Sequence, residues 1–165
     1  GYRQLEVLAT RPWYRQDGET SRIIIPSHQI YGCLIESCKS TSSSLRPCDP
    51  NNLRSVLHVS DFLTEKVASD GVYKRLVMPK SGTGQPLSNQ RALRTNPFIE
   101  AFEAKGTLGY FDDLVTQGGD TIEDFLIFAG QHIGVGASRK MGYGRFRVIH
   151  YAPSEPVTPS GRGSR

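Results

Sequence analysis

The chain has 165 residues, of which 37% are hydrophobic, and a net charge of +4. This size predicts one domain with a modest core. No apolar run is long enough to cross a bilayer and no charged-then-apolar leader opens the chain, so we expect a cytoplasmic protein that contacts no membrane. The three cysteines, Cys33, Cys38 and Cys48, fit neither a zinc site nor a disulfide framework, and we predict no metal and no cofactor.

Two strands and a helix are predicted in the first quarter of the chain. Alternating apolar residues favour a strand over residues 4–10, and the β-branched run Ile23-Ile24-Ile25 favours a second, with a polar turn between them. Ser27 is a suitable N-cap for a helix over residues 27–41. The apolar face of this helix consists of Ile30, Cys33, Leu34 and Cys38.

The middle of the chain is predicted as strands around a long arm. Alternation favours strands over residues 53–63 and 72–78, and a strand with a bulge near Gly106 over residues 98–111. Residues 79–97 have no acid and no sustained periodicity, and they contain several glycines and prolines. Long loops of this kind are usually functional or disordered, and we interpret this one as a protruding arm or irregular hairpin.

A second helix and a last strand complete the predicted domain. Asp120 and Glu123 form a capping box for the helix, which ends at Gly134. A strand follows over residues 145–151, and residues 153–165 have the composition of a disordered tail. The buried face of the second helix consists of Ile122, Phe125, Leu126, Ala129 and Ile133.

The predicted order of elements favours an α+β fold. A β–α–β–(β–arm–β)–α–β order closes as a ferredoxin-like (RRM-like) split βαβ unit, in which two helices cover one face of an antiparallel sheet. Such a domain would span residues 1–152, with the arm as an insertion. The other face of the sheet would be open to a ligand.

The most informative segment is the glycine-rich loop, Gly134–Arg147, which contains four glycines, four cations and no acid. Glycines let a backbone approach a ligand closely. The cations favour an anionic ligand, such as an extended single strand of RNA or DNA. A nucleoside-triphosphate loop ends in Gly-Lys-Ser/Thr before a helix, and a dinucleotide loop follows a strand, so neither fits. A solvated basic turn is the non-functional alternative.

Candidate nucleic-acid contacts lie in the first turn of the first helix, in the arm and in the glycine-rich loop. A helix N-terminus attracts anions, and an exposed tyrosine can stack on a base. The candidates are Ser27, His28, Gln29, Lys80, Arg91, Arg94, Arg139, Lys140, Tyr143, Arg145 and Arg147. Each charged candidate is also open to being a solvated surface residue, and Tyr143 is equally open to packing against the second helix.

Two of these segments resemble the RAMP superfamily, the repeat-associated proteins of CRISPR systems. The matching residues are Ile25-Pro26-Ser27, Ala129-Gly130, Ile133-Gly134-Val135-Gly136 and Arg139–Phe146. The resemblance implies a backbone-type subunit that binds guide RNA without sequence readout and oligomerises along it beside other effector subunits. It also implies that the 79–97 arm acts as a thumb separating short runs of nucleotides.

Three other functions stay open. The same glycine-rich ending is similar to that of small phage- and prophage-encoded proteins, which implies single-stranded DNA as the ligand. The endoribonuclease branch of the superfamily implies metal-independent RNA cleavage, with His28 as acid or base and Tyr31 or Lys39 supporting charge. Asp49 and Asp61 are candidates for the loop aspartate with which some backbone subunits cut RNA. A protein-interaction module with an acidic partner is the third alternative.

Overall fold

The computed structural model describes residues 6–9, 13–77, 83, 92–111 and 119–153, with side chains undescribed at 6–9, 17, 44 and 119–121. The fold is α+β, as predicted. The helices are α1 (Ser27–Ser40), α2 (Leu53–Val56) and α3 (Gly119–Phe128). The strands are β1 (Glu6–Ala9), β2 (Trp13–Asp17), β3 (Thr20–Ile25), β4 (Leu57–Val59), β5 (Phe62–Thr64), β6 (Gly71–Val77), β7 (Ala92–Phe98), β8 (Ala104–Lys105) and β9 (Leu108–Tyr110).

The described strands form three small sheets. In the first sheet β7 lies in the middle, parallel to β1 and antiparallel to β6. The second sheet has the antiparallel order β2-β3-β5-β8, and the third consists of β4 and β9. None of the described helices is both long and apolar enough to cross a bilayer.

The core lies between α1, α3 and the segment from α2 to β4. The predicted apolar face of α1 is confirmed, since Cys33, Leu34 and Cys38 are all buried. Ile122 and Phe125 of α3 pack into the same cluster, again as predicted. Because both helices bury a stripe of apolar side chains against each other, the end of α3 is held firmly beside α1.

Tyr31 links α1 to the core through its hydroxyl group. The hydroxyl donates to the Leu57 carbonyl at 2.9 Å and accepts from the Val59 N–H at 3.0 Å. The Arg54 guanidinium lies 4.9 Å from the centre of the tyrosine ring. One side chain therefore satisfies two backbone groups of β4 and fixes the position of that strand against the helix.

The prediction of one strand over residues 53–63 is wrong. Asp49 accepts a hydrogen bond from the Asn51 N–H at 2.8 Å and so starts a helical turn, which continues as α2 before β4 and β5. The apolar residues of this segment fit both periods, because Leu53, Val56 and Leu57 also share a helical face. The capping aspartate favours the helix, and a prediction based only on alternating apolar residues does not take this cap into account.

Two further strand predictions need correction. Residues 98–111 contain β8 and β9 as separate short strands, with Gly106 between them. The Phe62 ring packs where a Cβ of Gly106 would stand, so the position between the two strands requires glycine. The polar segment 14–21 contains the predicted turn, at Gly18 with a φ of 62°, but the residues before this turn form β2, which was not predicted and which pairs with β3.

The last predicted strand, residues 145–151, has no regular secondary structure. The reason lies in its hydrogen bonds, since the Phe146 N–H donates to the Gly130 carbonyl at 3.2 Å. That carbonyl belongs to a π-helical turn, Ala129–Ile133, which extends α3 and was also not predicted. The segment is therefore attached to the end of a helix and not to a sheet.

The predicted arm is described in part. Residues 92–97 belong to β7, which pairs with β6, as the irregular-hairpin interpretation allows. Residues 79–82 and 84–91 lie outside the described residues, as do residues 154–165 of the predicted tail and the side chain of Asp120.

Replacing Tyr31 by phenylalanine tests the link between α1 and β4. Tyr31→Phe leaves the Val59 N–H and the Leu57 carbonyl without their partner, and we expect unfolding to become easier by about 1–3 kcal/mol. Urea denaturation measures this change. Tyr110→Phe is the control, because Tyr110 also lies beside the core but its hydroxyl forms no hydrogen bond with any described residue. Equal effects of the two substitutions would contradict the proposed role of Tyr31.

The buried cysteines predict low thiol reactivity. Burial raises the pKa of Cys33 to about 11 and that of Cys38 to about 12. Each neutral thiol stabilises the fold at pH values below 9.0, and this contribution is lost as the pH rises through the higher folded pKa. At pH 8 we expect a thiol reagent to label these two cysteines at least about tenfold more slowly than in urea. Equal rates in both conditions would contradict the burial.

Candidate nucleic-acid interface

The glycine-rich loop is closed at its base by backbone contacts. Gly134 ends the π-helical turn at a φ of 83°, and its N–H donates to the Ala129 carbonyl at 2.8 Å. The next residue, Val135, donates its N–H to the Gly144 carbonyl at 2.9 Å. A Cβ on Gly144 would overlap the Val135 carbonyl oxygen. Only glycine therefore allows this closure, which explains two of the four glycines in the segment.

A second backbone contact attaches the loop to the helix below it. The Phe146 carbonyl oxygen lies where a Cβ of Gly130 would stand, and the same two residues share the hydrogen bond described above. The Phe146 side chain is packed against the core cluster. The base of the loop is thus fixed to a buried part of the molecule.

Inside the loop, one turn presents an aromatic side chain to β6. A 3₁₀ turn, Arg139–Met141, lies between Ser138 at a φ of 60° and Gly142 at a φ of 89°. The Ser138 hydroxyl is hydrogen-bonded to the Tyr73 hydroxyl at 2.8 Å. The Tyr143 ring stacks on the Tyr73 ring, with centroids 5.4 Å apart and planes 5° from parallel. The predicted base-stacking residue therefore packs on a strand, and not on the second helix.

The four cations of the loop segment differ in their surroundings. Arg139 forms an ion pair with Glu36 of α1 at 2.9 Å, so its charge is partly neutralised within the protein. Lys140, Arg145 and Arg147 are exposed. Because residues 145–151 are not a strand, Arg145 and Arg147 do not lie on a common strand face. Three of the four cations are nevertheless placed to meet an anion.

The strands beside the loop carry two more arginines on the face of Tyr73. Along β6, Tyr73 and Arg75 point to one side, and their partners on β7 are Asn96 and Arg94. Arg94 was a candidate from the sequence, whereas Arg75 was missed. The Nε atoms of both arginines are buried without a hydrogen-bond partner. Neither arginine forms an ion pair with any described residue.

The first turn of α1 differs from its prediction. Ser27 is the first helical residue and not the cap, and its N–H donates to the Asp61 carboxylate at 2.7 Å. A carboxylate thus already occupies the anion-binding position at this helix end. The His28 ring lies edge-on to the Trp13 ring, with the two ring centroids 5.7 Å apart. Gln29 faces the loop, with its Oε1 3.8 Å from the position that a Cβ of Gly136 would take.

The alternative catalytic residues are not assembled into one site. The Tyr31 hydroxyl is engaged with the backbone of β4. Lys39 lies near the other end of α1, roughly 16 Å along the helix axis from His28 at ~1.5 Å per residue. Asp49 and Asp61 cap helical segments. In this arrangement these side chains do not surround a common point at which they could act on one substrate.

Lys80 and Arg91, the remaining candidates, lie outside the described residues. Tyr73 and Arg75 are the residues that sequence reasoning missed. Strand alternation over the correctly predicted β6 places them on one face, which was an available signal. What the sequence does not reveal is that this face meets the glycine-rich loop.

No family model matches the chain, and a search of curated proteins finds no match to it.

The loop closure predicts unequal effects for two alanine substitutions. Gly142→Ala and Gly144→Ala both place alanine at a positive φ, 89° and 78°, which costs about 1–2 kcal/mol. Only Gly144→Ala adds an overlap with the Val135 carbonyl, because nothing lies within 4 Å of a Cβ at Gly142. We expect amide exchange at Val135 to be at least about tenfold faster in Gly144→Ala than in Gly142→Ala, from one lost hydrogen bond. Equal exchange rates would show that the loop is not closed at this contact.

Proposed function

We propose that this protein is a single-stranded nucleic-acid-binding subunit of the RAMP type, which binds guide RNA in the cytoplasm and oligomerises along it. The observation that carries the proposal is the stack of Tyr143 on Tyr73, beside a loop with three exposed cations. The proposed domain is ferredoxin-like. This proposal is supported by the β1-β7-β6 sheet, in which a first strand lies parallel to the second strand of a hairpin, as in a split βαβ unit.

Tyr143 is suited to receive a nucleobase. One of its ring faces covers Tyr73, while 47% of the residue is exposed. Stacking on an aromatic ring contributes about 1–3 kcal/mol per base and tolerates any base, because every base has a π face. The stack on Tyr73 fixes the ring orientation in advance, so binding does not have to immobilise the side chain.

The cations around Tyr143 favour contacts with phosphates over base edges. Lys140 precedes Tyr143 in the loop, and Arg145 and Arg147 follow it. Contacts from such side chains to phosphates hold a strand in place and carry no direct sequence information. The proposed binding is therefore tolerant of sequence and sensitive to salt. RNA is preferred here because of the family resemblance, and single-stranded DNA of a phage is the alternative that the same surface allows.

The aromatic contribution is tested by removing Tyr143. Tyr143→Ala should weaken binding of a fluorescent single-stranded RNA by about 5- to 150-fold, which corresponds to the loss of one stacked base. Fluorescence anisotropy measures the dissociation constant, with a DNA strand of the same sequence in parallel. Tyr14→Ala is a matched control, because Tyr14 is also 47% exposed but lies on β2. Equal affinities of the two variants would contradict the stacking role.

The cationic contribution predicts a steep salt dependence. If the three exposed cations each neutralise one phosphate, the slope of log K against log salt is about −2 for a single strand. The measurement is the same anisotropy titration repeated from low to moderate salt. Lys105→Ala, which removes an exposed cation from β8, should leave this slope unchanged. A flat salt dependence of the wild-type protein would overturn the proposed function.

A further inference from the structure

Two like charges face each other across the β6–β7 hairpin. Arg75 and Arg94 are direct partners in the antiparallel register, so their side chains leave the same face of the sheet at adjacent positions. Like charges in this position destabilise a sheet. Each side chain also has a buried Nε that donates no hydrogen bond, which adds a desolvation cost. The pair therefore weakens the folded protein in the absence of a ligand.

Among the described residues, the register neighbours of the two arginines in the hairpin supply no acid. On the same face, the neighbouring pairs are Tyr73 with Asn96 on one side and Val77 with Ala92 on the other, and none of these is acidic. The acid closest in register is Glu6, which lies opposite Ala92 and therefore diagonal to Arg94 on the same face, and whose side chain lies outside the described residues. Among the described residues, the ion pairs join Lys66 to Asp70 and Arg139 to Glu36, away from this pair.

We infer that Arg75 and Arg94 form a binding site for a phosphate group, taken from the backbone of the bound strand. Guanidinium groups have the planar, multiple-donor geometry that binds phosphate oxygens. Both side chains are half-buried, so an anion meets them in partly desolvated surroundings, where the attraction is stronger than in water. The phosphate would satisfy two positive charges that form no ion pair with any described residue.

The position of the pair fits a strand that also stacks on Tyr143. Tyr73, on which Tyr143 stacks, lies two residues from Arg75 on the same strand face. That spacing is about 7 Å along an extended strand. A base on Tyr143 and a phosphate between the arginines therefore belong to the same stretch of nucleic acid. In this respect the inference rests on the proposed function, although an inorganic anion tests the site without it.

The test compares two variants of the pair with a matched control on the same strand. Arg75→Met and Arg94→Met each remove one guanidinium and keep an unbranched side chain. Lys74→Met removes a neighbouring cation from the opposite face of β6, where Lys74 is exposed opposite Thr95. Thermal unfolding is measured with and without pyrophosphate, at constant ionic strength maintained with chloride. Anisotropy measures RNA binding by the same proteins.

Without anion, we expect Arg75→Met and Arg94→Met to unfold at the wild-type temperature or above it, because the repulsion is gone. Pyrophosphate should raise the unfolding temperature of the wild type and Lys74→Met, and not of the two arginine variants. Each arginine variant should bind RNA at least about fivefold more weakly, with a salt slope reduced by about 1. Lower unfolding temperatures without anion, together with a wild-type response to pyrophosphate, would overturn the site and make the arginines structural.

The remaining outcomes separate this site from the proposed function. If the wild type binds no strand but its stabilisation by pyrophosphate depends on Arg75 and Arg94, the phosphate site stands and the proposed function fails. If the wild type binds RNA and both arginine variants bind it equally well, the phosphate site is overturned and the proposed function stands.

Discussion

The close approach of Gly134 and Gly144 is the contact on which the candidate interface depends. The Val135 N–H and the Gly144 carbonyl meet across the base of the loop, where a Cβ on Gly144 would overlap the Val135 carbonyl oxygen. The loop begins directly after the helical segment that extends α3. Because α3 packs in the core, the position of the loop base is fixed by a buried helix. Tyr143 reaches Tyr73 only from a loop that is closed in this way. The lack of a side chain at Gly134 and Gly144 therefore allows the loop to close and Tyr143 to stack on Tyr73.

The contacts that hold the loop differ in their response to salt. The base is closed by backbone hydrogen bonds, which depend little on ionic strength. The ion pair of Arg139 with Glu36 is exposed, and such pairs contribute about 0–1 kcal/mol and weaken with salt. Phosphate contacts, by contrast, release counterions and weaken steeply. Salt therefore removes the proposed ligand before it opens the loop, and a salt-dependent affinity does not report loop unfolding.

Local features of the sequence predict the parts of the fold that local interactions determine. The apolar face of α1, the turn at Gly18 and the end of the helical segment at Gly134 all follow from periodicity or from glycine at a positive φ. The pairs that form the candidate site do not, because they depend on strand register and on contacts far apart in the chain. Tyr73 with Tyr143 and Arg75 with Arg94 are of this kind. Alternation was misleading at 145–151, where the Phe146 N–H donates to the Gly130 carbonyl at the end of a helix and no strand forms.

The capping of α1 moves the candidate interface from a helix end to a sheet face. A helix N-terminus attracts anions only while its N–H groups are free, and the Asp61 carboxylate accepts from Ser27 at 2.7 Å. A phosphate approaching there would meet a negative charge already in place. The face shared by Tyr73 and Arg75 has the opposite character, because two guanidinium groups lie there without a described acidic partner. Among the described residues, the candidates for catalysis are not gathered on either of these surfaces.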